Sequence, residues 1–72
     1  MMKFFRGYHQ GYEVCAYIML ATINGSMEYD LTVYGRDYKG DQYVLKHGLY
    51  KTIIGAEKAL KRAFPETEWV EG

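Results

Sequence analysis

The chain has 72 residues, no net charge at pH 7 and a single cysteine, Cys15. A domain of this size buries only about 60% of the surface that its unfolded chain exposes, so its stability margin is thin. One cysteine excludes an intramolecular disulfide and a cysteine-ligated zinc site, and neutrality excludes a global field that steers the chain to nucleic acid or a membrane. The aromatic residues, 17% of the chain with eight tyrosines, are therefore expected to supply much of the core.

In chain order, Met2–Tyr8 is predicted to form a first strand, followed by a turn before Gly11. Tyr12–Ile23 and Met27–Tyr34 are apolar stretches joined by Asn24-Gly25, the strongest short-range signal for a two-residue hairpin. That loop places Ile18 opposite Leu31, whereas a three-residue loop would shift the register by one. In the favoured register one face carries Ala16, Ile18, Leu20, Met27, Tyr29, Leu31 and Val33.

A polar loop leads to a fourth predicted strand, Gln42–His47, which ends at Gly48 and has Tyr43, Leu45 and His47 on one face. Thr52 is a good N-cap, and Pro65 ends the helix that follows. The apolar stripe of that helix consists of Ile53, Ala56, Leu60, Ala63 and Phe64. Residues 65–72 form an acidic tail or an edge strand.

These elements predict a single small domain over residues 1–72 in the α+β class. It is an antiparallel sheet of three or four strands in meander order, with one C-terminal helix packed on one face. The expected core consists of Ile18, Leu20, Leu31, Val33, Leu45, Ile53, Leu60 and Phe64.

The residues that often carry chemistry do not form a recognisable catalytic pattern. Cys15 lies mid-strand among apolar residues, where a thiol is packed rather than nucleophilic. His9 and His47 lack metal-ligand spacing, and the loop with Arg36 and Lys39 lacks the glycine pattern of a phosphate-binding loop. We therefore expect no enzyme activity, no metal and no cofactor.

The strand Tyr12–Ile23 is apolar on both faces, but one helix covers only one face of a small sheet. The other face needs the tail, other aromatic side chains, a second copy of the chain in a homodimer, or a different macromolecule. A face that mixes tyrosines with carboxylates suits a protein partner with basic groups. The predicted partner-binding residues are Tyr17, Met19, Glu28, Asp30 and Tyr34.

Nucleic acid is the alternative partner, because residues 36–64 carry seven basic side chains against three acidic ones, interleaved with tyrosines. The candidate residues are Arg36, Lys39, Lys46, Lys58, Lys61 and Arg62. Residues 50–62, with their Thr cap and Ala-Glu-x-Ala-Leu run, resemble the closing helix of small phage and mobile-element domains, such as the arm-binding domains of tyrosine recombinases. That resemblance implies a three-stranded basic sheet in the major groove, whereas this hairpin carries Glu13, Glu28 and Asp30 and no cation.

The short, tyrosine-rich chain with an acidic hairpin is also similar to small phage inhibitors of the anti-CRISPR and antirestriction kind. This similarity implies a non-enzymatic, phage-borne protein that binds and inhibits a host protein or nucleoprotein complex. The first residues lack the apolar region of a secretory signal, and Val14–Ile23 is too short to cross a membrane, so a cytoplasmic location is expected.

Overall fold

The computed structural model describes residues 2–72 as one antiparallel sheet and one helix. The strands are β1 (Met2–His9), β2 (Tyr12–Ile23), β3 (Ser26–Arg36), β4 (Gln42–Tyr50) and β5 (Val70–Glu71), and the helix is α1 (Ile53–Ala63). The sheet order is β4-β3-β2-β1-β5. The α+β fold is confirmed, with a meander of four strands, and the tail adds a fifth strand at the edge.

The two hairpin turns are tight because each has two residues with positive φ. Asn24 (φ 51°) and Gly25 (φ 80°) join β2 to β3, and Gln10 (φ 54°) and Gly11 (φ 84°) join β1 to β2. The first pair sets the predicted register, in which Ile18 lies opposite Leu31 and Leu20 opposite Tyr29. The two-residue loop is therefore correct, and the three-residue alternative is wrong.

Helix α1 begins after Thr52, whose Oγ1 accepts a hydrogen bond of 2.9 Å from the backbone N–H of Gly55. This is the predicted cap, and it satisfies one of the free donors of the first turn. The helix buries Ala56 and Leu60 against β2, β3 and β4. It therefore covers one face of the sheet and leaves the other face open.

The core lies between α1 and the sheet. Its buried apolar members are Phe5, Val14, Ala16, Ile18, Leu31, Val33, Ala56, Leu60 and Phe64. Of the expected core residues, Leu20 and Ile53 are only half-buried. The expectation that Leu45 lies in the core is wrong, because 37% of its surface is exposed.

Strand β4 departs from the predicted strand in length and in the orientation of its side chains. It continues through Gly48 to Tyr50, and a methyl group at Gly48 would lie 2.7 Å from the Tyr50 hydroxyl. The pairing with β3 shifts between Val33 and Tyr34, which leaves Leu45 as the extra residue of a bulge. The expectation that Tyr43 and His47 share a face is wrong, because the bulge breaks the alternation between them.

The two edges of the sheet differ. β5 pairs with Phe5 and Arg6 of β1, and the backbone N–H of Gly72 donates to the carbonyl oxygen of Phe4 at 2.9 Å. Just before β5, Trp69 packs on Phe64 with ring centroids 5.8 Å apart. On the far side, β4 has no neighbour beyond it among residues 2–72. No helix in that range is long and apolar enough to pass through a membrane.

Candidate functional site

The face of the sheet opposite α1, called the open face below, collects all five residues predicted to bind a partner. Strand pairing places Tyr17 opposite Thr32, Met19 opposite Asp30, and Ala21 opposite Glu28. These side chains point away from the core, since their neighbours in the strand, such as Ile18 and Leu31, are buried under the helix. The five residues therefore share one surface, as predicted: Tyr17, Met19, Glu28, Asp30 and Tyr34.

A row of aromatic rings crosses three strands of the open face. The Phe4 and Tyr17 centroids are 5.0 Å apart, and the Tyr17 and Tyr34 centroids are 5.8 Å apart with the rings edge to face. Met19, half exposed, lies beside this row. A shallow hollow is lined by Tyr17, Met19, Asp30, Thr32, Tyr34 and Gln42. The centre of the open face is thus aromatic and largely apolar, with hydroxyl and amide groups at its border.

The carboxylates of the open face are paired within the chain. Asp30 Oδ1 lies 3.0 Å from His47 Nε2 and accepts a hydrogen bond of 2.9 Å from Thr32 Oγ1. Glu28 Oε1 lies 3.1 Å from Lys51 Nζ, and the Glu28 side chain is only 18% exposed. These carboxylates therefore do not form the bare acidic patch that the sequence suggests, because the His47 imidazole and the Lys51 ammonium lie against them.

Sequence reasoning missed Gln42, His47 and Lys51 as parts of this face, and it considered Phe4 only as one of the aromatic side chains that could cover the face. The signal for His47 and Lys51 was the pairing of β3 with β4, in which Thr32 lies opposite His47. That register depends on the bulge at Leu45, and a strand ending at Gly48 would not have carried Lys51 next to Glu28. The remaining large apolar side chains exposed on this face near β4 are Val44 and Leu49, at 56% and 40%.

The six candidate nucleic-acid residues fall into two groups. Arg36 lies beside a hollow with Tyr12, Asp37, Tyr38 and Tyr43, and the Lys39 ammonium lies 5.7 Å from the Tyr38 ring centroid. At a second place, Lys46 of β4 and Arg62 of α1 line one cleft between strand and helix.

Lys58 lies one helical turn before Arg62, and Lys61 lies next to Arg62 in the last turn of α1. The second group lies on the helix side of the sheet, away from the open face, whereas Arg36 lies opposite Gln42 at the end of β3, next to the hollow that Gln42 lines.

The histidines and the cysteine are separated from one another. His9 packs edge to face on Phe64, on the helix side of the sheet, whereas His47 lies on the open face. Cys15 is a half-buried free thiol opposite Tyr34. Within residues 2–72, no three His, Cys, Asp or Glu side chains are grouped closely enough to hold a metal ion.

Comparison with known proteins found no relative: no family model, curated protein or solved structure matches the chain.

Proposed function

We propose that this protein is a non-enzymatic interaction protein that docks a partner protein on the open face. The observation that carries the proposal is the row Phe4–Tyr17–Tyr34, with exposed Met19 beside it, on a face that no other element of residues 2–72 covers. Tyrosine and methionine supply much contact area at a small entropic cost, and aromatic anchors dominate binding energy at interfaces.

The charged groups of the open face indicate which chemical groups the partner's surface would carry. Asp30 and Glu28 already have side-chain nitrogen partners at 3.0 and 3.1 Å, so a strongly basic partner would have to displace His47 or Lys51. A partner with an apolar centre and a polar rim would keep both contacts and use them at the border of the interface. Paired charges there set orientation more than affinity.

The proposed action is occupancy of the partner's surface. A face with this aromatic row can block a site on a host protein or nucleoprotein complex without any chemical step, which is the mode of small phage inhibitors. Self-association through the same face is the competing outcome, because a second copy would also supply an apolar centre.

Site-specific photo-crosslinking tests the proposal. A benzophenone amino acid at Tyr17, used in an extract of the cells in which the protein acts, should give one dominant heterologous product identified by mass spectrometry. The same group at Tyr38, which is 88% exposed outside the open face, is the matched control and should give none of that product.

Competition completes the test. Excess unlabelled wild type and Tyr38→Arg should suppress the product, whereas Tyr17→Arg should not, because a cation at the centre of the face disrupts the apolar contact. Equal crosslinking from both positions would contradict the proposal. A product consisting only of two copies of this chain would assign the open face to a homodimer instead.

A further inference from the structure

The outer edge of β4 has no strand beside it in the part of the chain that the structure describes. β1 is covered at its edge by β5 and Gly72, but within residues 2–72 nothing pairs with the far side of Gln42–Tyr50. An uncovered edge presents unpaired N–H and C=O groups and is a template for an added strand. The bulge at Leu45 interrupts this edge and leaves Lys46–Tyr50 as its regular part.

The helix side of this edge is basic. Lys46 and Arg62 line a cleft with Tyr50, Ala59 and Ala63, and Lys58 precedes Arg62 by one turn. Among the described residues, no carboxylate lies within 4.0 Å of Lys46, Lys58 or Arg62, whereas Glu57 is held by Lys3 at 3.0 Å. The cations beside the β4 edge are therefore available to an anionic partner.

The other side of the same edge is mixed. Val44 and Leu49 lie on the open face with 56% and 40% of their surface exposed, and His47, which contacts Asp30, lies between them. Because successive side chains of a strand point to opposite faces, a strand added along Lys46–Tyr50 meets Lys46 and Arg62 on one side and His47 and Leu49 on the other.

We propose that β4 accepts an extended acidic peptide as a sixth strand, with carboxylates at alternate positions above Lys46 and Arg62 and apolar residues between them beside Leu49. Each residue of the added strand would lie opposite one residue of β4, so the regular edge Lys46–Tyr50 accommodates about five residues of the peptide. This site is separate from the aromatic row of the open face and takes a different ligand.

Two other occupants fit less well. A second copy paired through β4 would bring two clefts with Lys46 and Arg62 together, and like charges would oppose that arrangement. A nucleic acid would satisfy the cations, but its sugar–phosphate backbone cannot reproduce the ladder of hydrogen bonds that the edge offers to a peptide.

The first experiment measures fluorescence anisotropy with a labelled peptide of about ten alternating Glu and Val residues, long enough to form a strand. The protein should bind it more tightly than a peptide of the same composition in shuffled order. Lys46→Glu and Arg62→Glu should each weaken binding by about tenfold, equivalent to ~1.4 kcal/mol. Lys39→Glu is the matched control, because Lys39 lies in the β3–β4 loop, and it should bind as wild type does.

The second experiment tests strand addition itself. Two versions of the alternating peptide carry N-methyl groups on either the Glu or the Val residues, so that each blocks the hydrogen bonds of one peptide edge. One version should bind as the parent does, and the other should lose binding. Equal binding of both versions would overturn the proposal, as would duplex DNA that displaces the peptide at lower concentration and depends on Lys46 and Arg62.

Discussion

Tyr17 meets Tyr34 edge to face across the paired strands β2 and β3, with ring centroids 5.8 Å apart and an interplanar angle of 76°. Such aromatic pairs contribute about 0.5–1.5 kcal/mol beyond their buried area. A double-mutant cycle with Tyr17→Leu and Tyr34→Leu should give a coupling energy in this range in urea denaturation. The same cycle with Tyr17 and Tyr38 should be additive within about 0.5 kcal/mol, and coupling in both cycles would show that the ring contact is not its source.

Leu60 and Leu45 should differ sharply in their contribution to stability. Leu60 is 1% exposed between helix and sheet, whereas Leu45 projects from the bulge with 37% of its surface exposed. We expect Leu60→Ala to lower the free energy of unfolding by about 2–5 kcal/mol. Leu45→Ala should lower it by less than about 1 kcal/mol. Thermal and urea denaturation of both variants decide this, and equal losses would place Leu45 in the core after all.

The contact between Lys3 and Glu57 should make the free energy of unfolding depend on pH in the alkaline range. The hydrogen bond from Lys3 to Glu57 at 3.0 Å, aided by the charges of Glu57 and Glu71 and opposed by desolvation, raises the pKa of Lys3 from the ordinary value of 10.5. Because the pKa is higher in the folded state, the stabilisation is complete below the unfolded-state pKa. It is lost as the pH rises through the raised value.

The measurement is the urea midpoint of wild type and Lys3→Met between about pH 9 and pH 12. Groups that ionise in both proteins cancel in the comparison, so the difference between the two midpoints isolates the contribution of Lys3. That difference should shrink as the pH rises. A constant difference across the range would show that Lys3 stabilises the fold through its aliphatic stem alone.

Gly7 allows the C-terminal segment to pack closely on β1. A Cβ at this position would lie 2.6 Å from Thr67 Cγ2 and 3.2 Å from the carbonyl oxygen of Glu68. Gly7→Ala should therefore displace residues 67–69 and lower stability by about 1–3 kcal/mol. The fluorescence of Trp69 should shift to longer wavelength as its ring becomes hydrated.

A second substitution provides the control for Gly7. Thr67→Ser removes the Cγ2 atom that makes the shortest of these contacts, so it should recover part of the stability lost in Gly7→Ala. Trp69 emission that is identical in Gly7→Ala and wild type would contradict this account.

Asp30 should affect partner binding more than folding. Its carboxylate is about one-third exposed, bound to His47 and to Thr32. Asp30→Lys should therefore lower stability by only about 1 kcal/mol. In the crosslinking assay this variant should compete less well than wild type, because it replaces a carboxylate with an ammonium group at the border of the aromatic row. Unchanged competition would remove this side of the open face from the proposed interface.

The parts of the fold that follow from local chemistry were predictable. Asn24-Gly25 determines the hairpin register through two residues of positive φ, and Thr52 with its apolar stripe determines the helix. The location of Tyr17, Met19 and Asp30 on one uncovered face follows from that register alone.

The parts that depend on neighbouring strands were not predictable in the same way. The bulge at Leu45 exists only in the pairing with β3, and it moves Leu45 out of the core. Gly48 looks like the end of a strand, but it leaves room for the ring of Tyr50. The side chains that contact Asp30 and Glu28, His47 and Lys51, lie about twenty residues away in sequence, where no spacing rule along one chain segment reaches them.

The hydrogen bond of 2.9 Å from the N–H of Gly72 to the oxygen of Phe4 makes residues from opposite ends of the described chain immediate neighbours. A short linker between them would close the backbone into a ring without crossing the domain. Opening that ring in the exposed loop at residues 37–41 would give a circular permutant with the same strand order. In that permutant β5 and β1 form a local hairpin, and β3 and β4 form a long-range pair. The same sheet would then form from a different order of strands along the chain.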